Sequence, residues 1–387
     1  MLFAQRKDIL LPQTAPTGTG AQTLRFLVKQ ERRRLEGFTF KLALTTNATA
    51  LTGAAWAGLA GVVKEIRLVV NDGPAGGGQR NLIQITGPAC LSYIRQLGLS
   101  LDRETQRSYG AAGFPTSTTC QMSFFVPIRH PALQEPFRQV LAYPLSSTYS
   151  ANDAYIEVDL YDIAASGTVF TANPPTYAST QPALVQVHLA EIPDSYPYLR
   201  SEFRTDTGFS TAATANVPYE FTSGGFLTGF LIQGFSAAIT NSVTRSTLLS
   251  SGGQIRVEYG REVLMKTDEN FQQAYNDLST ELVYPAGEST TAAAAIHSAA
   301  SPALQNRMFT GESFFDFLTD LPGSDAFSLA SCPDLNTDAL GGDKFRVVFN
   351  DLASASRPIH ITYHKLLSSR SQITSVVEGF AKRGATV

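Results

Sequence analysis

The feature that most restricts this 387-residue chain is that its pattern is written twice. Gly37-Phe38-Thr39-Phe40 is answered by Gly225-Phe226-Leu227-Thr228, and Glu65-Ile66-Arg67-Leu68 by Gln254-Ile255-Arg256-Val257. Ser123-Phe124-Phe125-Val126 returns as Ser313-Phe314-Phe315-Asp316, and the run from Asp153 to Leu160 returns from Asp343 to Asn350. The order is kept and the displacement stays at about 190 residues, close to half the chain. A last pair, Pro182–Ile192 and Pro358–Leu367, lies closer together because the first half carries an extra loop through Asn173-Pro174-Pro175-Thr176. One such match is weak, but an ordered series at nearly constant spacing predicts a duplicated unit. The length suits two domains of ordinary size.

Within each unit the pattern alternates. Phe38, Phe40, Leu42 and Leu44 sit at every second residue with Thr39, Lys41, Ala43 and Thr45 between them, as in a strand with one buried face. Comparable runs occupy Val63–Val70, Cys120–Ile128, Tyr155–Ile163, Leu184–Ile192, Phe226–Phe235, Ile255–Tyr259, Phe345–Phe349 and Ile359–Leu367, bounded mostly by Gly, Pro, Asn, Asp or Ser. Two short helices are expected: Pro88–Leu97, with Leu91, Ile94 and Leu97 on one face, and Asp268–Leu278, with Phe271, Tyr275 and Leu278 facing one way. Residues 11–22 are small, polar and broken by Pro and Gly, so they read as an arm, with the ordered core starting near Thr23. The stretch Pro193–Pro218 has no sustained period and is read as the boundary region.

Units of about 170 residues with six or more strands bury alternating faces only by stacking two sheets or closing a barrel. Residues 99–118 and 279–311 form long Gly/Ala/Ser/Thr-rich connections, which argue against a simple meander. Jelly rolls accommodate such insertions at their ends. The expected fold is all-β: two tandem eight-stranded jelly rolls, a double jelly roll, with a short helix in each half. The expected division is an N-terminal arm (1–22), a first jelly roll (23–200), a second (201–367) and a C-terminal segment (368–387).

Charged residues make up only 16% of the chain, below the roughly 25% usual for soluble proteins, which points to surface covered by neighbours. With a net charge of −3 there is no global field to hold nucleic acid or an anionic membrane, so direct sequence-specific nucleic-acid binding is not expected. Cys90, Cys120 and Cys332 lack zinc spacing and read as buried thiols of a reducing compartment. The first residues lack a basic region followed by an apolar core, so no secretory signal is expected. No segment has the roughly 18 apolar residues of a membrane-spanning helix.

Candidate chemistry thins out on inspection. His360 and His364 would be ligand-like on a helix, but in the alternating Ile359-His360-Ile361-Thr362-Tyr363-His364 they stand roughly 13 Å apart and read as solvent-facing strand positions. His130, His188 and His297 have no evident partner. Gly73-Pro74-Ala75-Gly76-Gly77-Gly78 lacks the Lys-Ser/Thr of a phosphate loop and reads as a flexible connection. Gly234-Phe235-Ser236-Ala237-Ala238 lacks the second glycine of a nucleophile elbow. Asp153, Glu157, Asp159 and Asp162 could be paired carboxylates, or more simply a solvated edge. Arg32-Arg33-Arg34 reads as a solvated turn between strands, and the pairs Phe124/Phe125 and Phe314/Phe315 as core. No catalytic, cofactor-binding or metal-ligating set is expected.

Taken in order, Gly37–Leu44, Val63–Gly73, the short helix, Met122–Ile128 and Ala154–Asp162 resemble the first jelly roll of the double-jelly-roll major capsid proteins of tailless, internal-membrane-containing icosahedral phages and their adenovirus-like relatives. The resemblance covers most of residues 23–192 and, more loosely, 217–367. It implies a virion capsid protein, made and assembled in the host cytoplasm, that forms a homotrimer with six jelly rolls in a hexagonal outline. It further implies contacts with neighbouring capsomers, minor capsid or vertex proteins and an internal lipid membrane. The modest loops depart from the tall towers of larger members. Jelly rolls also host lectins, so a two-domain carbohydrate-binding or adhesin-like protein is the alternative. The single tryptophan, Trp56, counts against it. A jelly-roll glycosidase or amidase would need carboxylates converging from separate strands.

Overall fold

The computed structural model describes residues 6–11, 15–49, 61–72, 77–96, 117, 119–128, 140–146, 153–164, 173–178, 180–192, 197–209, 213–235, 248–269, 271–272, 311–317, 332–335, 344–353, 355–369 and 371–375. The first half contributes β1 (Arg6–Leu10), β2 (Gln22–Val28), β3 (Arg34–Thr45), β4 (Val63–Asp72), β5 (Gly77–Thr86), α1 (Gly87–Gln96), β6 (Thr119–Pro127), β7 (Tyr143–Pro144), β8 (Ala154–Leu160), β9 (Thr176–Tyr177) and β10 (Leu184–Ala190). The second contributes β11 (Ser201–Phe209), β12 (Val217–Glu220), β13 (Phe226–Gly234), β14 (Leu249–Tyr259), β15 (Glu262–Thr267), β16 (Glu312–Asp316), β17 (Phe345–Leu352) and β18 (Ile359–Leu366).

Strand order carries the duplication into space. One sheet runs β1-β10-β3-β6 and is joined in a sandwich to β5-β4-β8-β2; the second half has β11-β18-β13-β16 against β15-β14-β17-β12. Each order maps on to the other strand for strand, and each half is an eight-stranded jelly roll. The register agrees. Phe40 lies opposite Phe124 and Val185, and Phe230 opposite Phe315 and Tyr363, all six in the cores of their halves. The rings explain why aromatics sit at these places: Phe40 packs against Phe26 and Phe124, while Phe230 stacks on Phe315 at 4.6 Å. Each buried ring contributes about 2 kcal/mol of transfer free energy.

Several expectations change. The N-terminal segment is not simply an arm: Arg6–Leu10 pairs with β10, and Leu11 continues into the core, so order begins well before Thr23. The aperiodic stretch around residue 200 holds β11, which takes in the second half the place β1 takes in the first. Its sequence, SEFRTDTGF, alternates only weakly because one face is covered by the other half rather than by its own sandwich. Gly77 and Gly78, read as part of a flexible connection, lie in β5, which forms a hairpin with β4.

Helix α1 starts where the sequence places it. The Thr86 hydroxyl accepts the Ala89 N–H at 3.2 Å as an N-cap, and Pro88 suits the first turn. Gly87 is required there because a Cβ would run into the Val63 carbonyl. The second helix begins as expected at Asp268, whose carboxylate accepts the Phe271 N–H at 2.8 Å. Phe271, however, points outward instead of into the core. Tyr275, Leu278, Leu97 and the side chains of Leu91 and Ile94 lie outside the described residues. The start of the C-terminal segment is packed: Ile373 is buried with Val140, Leu141, Leu199, Phe226 and Leu366.

The two halves are joined by one parallel pairing. β11 runs alongside β5 with Phe203 opposite Ile83 and Arg204 opposite Gln84, merging a sheet of each half into one of eight strands, β16-β13-β18-β11-β5-β4-β8-β2. β13 is therefore buried on both faces along its whole length, facing its own core on one side and the first half on the other.

Candidate functional site

The histidines are not surface groups. His364 is buried in β18, its Nδ1 2.7 Å from the Thr228 hydroxyl and its ring beside Phe203. Loss of water holds its pKa down at about 4. His360 packs on the Phe235 ring, centroids 4.4 Å apart, and burial holds it at about 4 as well, with Asp206 opposing. The expectation of solvent-facing positions fails because Thr228, Phe203 and Phe235 lie against this face of β18. Both rings are neutral and placed for packing. His188 stands between Asp8 (2.8 Å) and Thr39 (2.9 Å), tying β1, β10 and β3 together. His130, His297 and Trp56 lie outside the described residues, as do most of residues 99–118 and 279–311.

The carboxylates pair across the sheet. β8 is an interior strand between β2 and β4, not an edge. Arg67 on β4 binds Asp159 at 3.0 Å and Glu157 at 3.4 Å, Arg25 on β2 reaches Glu157 at 3.2 Å, and Thr23 donates to Asp159 at 2.6 Å. Arg67 between the two acids makes this a cross-strand ladder of opposite charges. Asp153 accepts from the Gln30 N–H, and Asp162 from the Ala164 N–H. In the basic run only Arg32 and Arg33 lie in the turn; Arg34 begins β3, is buried, and donates to the Pro197 carbonyl at 3.2 Å. Of the possible nucleophile elbow, Gly234 closes β13 and Ser236 lies outside the described residues.

The densest buried polar chemistry lies between the halves. Ser92 on α1 donates to a carboxylate oxygen of Glu312 at 2.7 Å, and the Gln233 amide donates to the same oxygen at 2.5 Å. Around this cluster Tyr93 packs on Phe203 (4.4 Å) and Phe314 (5.5 Å), and Leu231 and Phe235 join the first-half core. Arg80 on β5 donates to the Ser201 carbonyl, and the Thr86 N–H donates to the Thr205 hydroxyl. The joint thus combines ladder pairing, ring packing and buried hydrogen bonds, which hold the two sandwiches in one arrangement. Periodicity could not reveal it, since Glu312, Ser92 and Gln233 are distant in sequence and meet only after both halves form.

Among the described residues no three of His, Cys, Asp and Glu converge on one point. A depression of about 230 Å³, lined by Lys41, Ala43, Gln121 and Gln181 on the outer face of the first sheet, is smaller than ordinary ligand pockets. Large apolar side chains stand exposed at Leu10 on β1, at Val263, Leu264 and Met265 on β15, and at Phe271 beyond it.

Comparison with solved structures finds this architecture in viral shells. A chain in the atomic structure of Sulfolobus turreted icosahedral virus matches 98% of this chain over 97% of its own, at TM-score 0.59 and 11% identity. The major capsid protein of bacteriophage PM2 matches 95% over 99% of its length, at TM-score 0.53 and 8% identity. A chain of the PBCV-1 virus capsid matches 94% over 93%, at TM-score 0.55 and 9% identity. At such identities the likeness is one of fold, and it runs end to end through both halves. No protein-family model matches the sequence, and no curated protein sequence matches it.

Proposed function

We propose, taking the shared double jelly roll as the premise, that this chain is the major capsid protein of an icosahedral virus and that its work is self-assembly. The observation that carries the reading is the end-to-end correspondence with the turreted-virus chain, 98% of one against 97% of the other, which involves two joined jelly rolls rather than a single sandwich. In this reading residues 23–200, together with the N-terminal strand Arg6–Leu10 that pairs with them, form one unit of the subunit and residues 201–367 the other. Three chains bring six sandwiches into a capsomer, and capsomers meet neighbouring capsomers, minor capsid or vertex proteins and a lipid layer inside the shell. The protein is made in the host cytoplasm, resides in the virion capsid and has no catalytic role. Fused sandwiches suit that work because a stiff joint transmits a fixed angle from one unit to the next, and many modest contacts then add up across a lattice.

The test is the solution mass of the purified chain by light scattering, together with negative-stain imaging. The expected result is a mass of three chains and a six-cornered outline. A chain that stays single at all concentrations and binds glycans on an array would replace this reading with the carbohydrate-binding one.

A further inference from the structure

The joint inside the chain has two unmatched ends. In the first half the β5 edge is covered by β11; the equivalent edge in the second half is β15, which among the described strands pairs only with β14. β11 is in turn the counterpart of β1, whose outer edge has no described neighbour. If the joint is a repeating connection, β15 lacks a β1.

The equivalence holds residue by residue. The β4–β5 ladder pairs Leu68 with Ile83 and then shifts register before Val69; the β14–β15 ladder pairs Val257 with Met265 and then shifts before Glu258. Met265 is thus the counterpart of Ile83, and Leu264 that of Leu82. Beyond the strands, Thr86 caps Ala89 as Asp268 caps Phe271. On the other side, Leu10 stands opposite the residue after Val185, as Phe203 stands opposite the residue after Tyr363, and Val185 and Tyr363 are the matching partners of Phe40 and Phe230.

Exposure separates the members of each pair. Leu82 and Ile83 are each 1% exposed, whereas Leu264 and Met265 are 51% and 40%. Phe203 is 5% exposed and Leu10 55%; Ala89 is 0% and Phe271 75%. The positions that are buried on the strands of the joint inside the chain are the ones that leave large apolar side chains in water at its two ends. An apolar edge strand exposed in this way is a template for pairing with another chain.

We infer that β15 of one copy takes β1 of a second copy as its parallel neighbour, repeating between chains the β5–β11 joint within the chain. The inference rests on the shell-subunit reading and names the surfaces it uses. Carrying over the register in which Phe203 meets Ile83 sets Leu10 opposite Met265 and brings Lys7 opposite Glu262, a pairing of opposite charge. Phe271 then lies over the outer face of the partner's first sheet, as α1 lies over β13 and β16. The contact is head to tail, using different patches on the two copies, and it forms a ring when the rotation closes.

The test uses the full chain in three forms: wild type, a Met265→Asp variant, and co-expressed Leu10→Cys and Met265→Cys copies. Strand neighbours hold Cα atoms within disulfide reach, so mild oxidation is expected to link Leu10→Cys to Met265→Cys copies. Neither cysteine variant alone should link beyond the wild-type background, and Met265→Asp should fall from the wild-type mass to that of a single chain. A wild-type oligomer with no such link, and with Met265→Asp at unchanged mass, overturns the inference and leaves the shell reading standing. A wild type that remains a single chain and fails to link overturns both. Circular dichroism of Met265→Asp separates lost association from lost folding, which an exposed site should not cause.

Discussion

Burial of His360 and His364 should make the fold acid-sensitive by a calculable amount. Each ring is neutral in the native state with its pKa held at about 4, against 6.5 for an ordinary histidine. Because the folded value is the lower one, the unfolded chain binds the proton first. The associated stability is complete above the unfolded value and is lost as pH falls from 6.5 towards 4. Integrating the two titrations gives a loss of about 2 kcal/mol per ring between pH 7 and pH 5, and about 3 kcal/mol per ring once pH is below 4. At pH 5 the buried His364 alone then costs about 2 kcal/mol and the partly buried His360 up to as much again, a large part of the 5–15 kcal/mol typical of a folded domain. Urea unfolding followed by far-ultraviolet circular dichroism at pH 7, 6 and 5 measures this. Carboxylates also titrate over this range, so the decisive quantity is the difference between wild type and a His364→Gln variant. The variant starts less stable but should lose about 2 kcal/mol less between pH 7 and pH 5. Equal losses in the two proteins would refute the reasoning.

Replacing Phe203 by Ala removes the ring on which Tyr93 rests and should destabilise the chain by about 3–5 kcal/mol in urea unfolding, whereas Phe203→Leu should cost less than half of that. Gly87→Ala forces a methyl on to the Val63 carbonyl and should cost about 1–3 kcal/mol, read from the same unfolding curves, although alanine is the better helix former. Burial raises the Cys90 thiol far above its usual range and pushes Cys332 up to about 12, so native protein treated with iodoacetamide at pH 8 should be alkylated first at Cys120. Peptide mass spectrometry checks that order.

Much of the architecture can be read from alternation because strands such as β2 and β8 have a single buried face, and even in strands buried more widely the core face keeps its period. In β3, Phe38, Phe40, Leu42 and Leu44 are all in the core, as their spacing requires. The reading weakens where burial comes from the other half. β13 is covered on both sides and β11 carries Ser201, Phe203 and Thr205 inward among charged residues, so neither offers a clean period. β15 fails in the opposite direction: Glu262-Val263-Leu264-Met265-Lys266 is exposed on both faces, and sequence alone gives no reason for apolar residues there. The histidines were misplaced for the same cause, since position along a strand says which face a residue is on but not what lies against it. Glu312 with Ser92 and Gln233 had no local signal at all.

The pairing of β1 with β10 sets a timetable for synthesis. The ladder partner of Arg6–Leu10, Leu184–Ala190, is made roughly 180 residues after it, about 10–40 s at ordinary translation rates. During that interval the first sandwich can join β2, β3, β4, β5, β6 and β8, but its N-terminal strand has nowhere to dock. Large loop closure of this kind is slow and leaves an unpaired strand open to intermolecular pairing. The edge of the finished subunit is thus the part of the nascent chain that most needs shielding from other nascent chains on the same message.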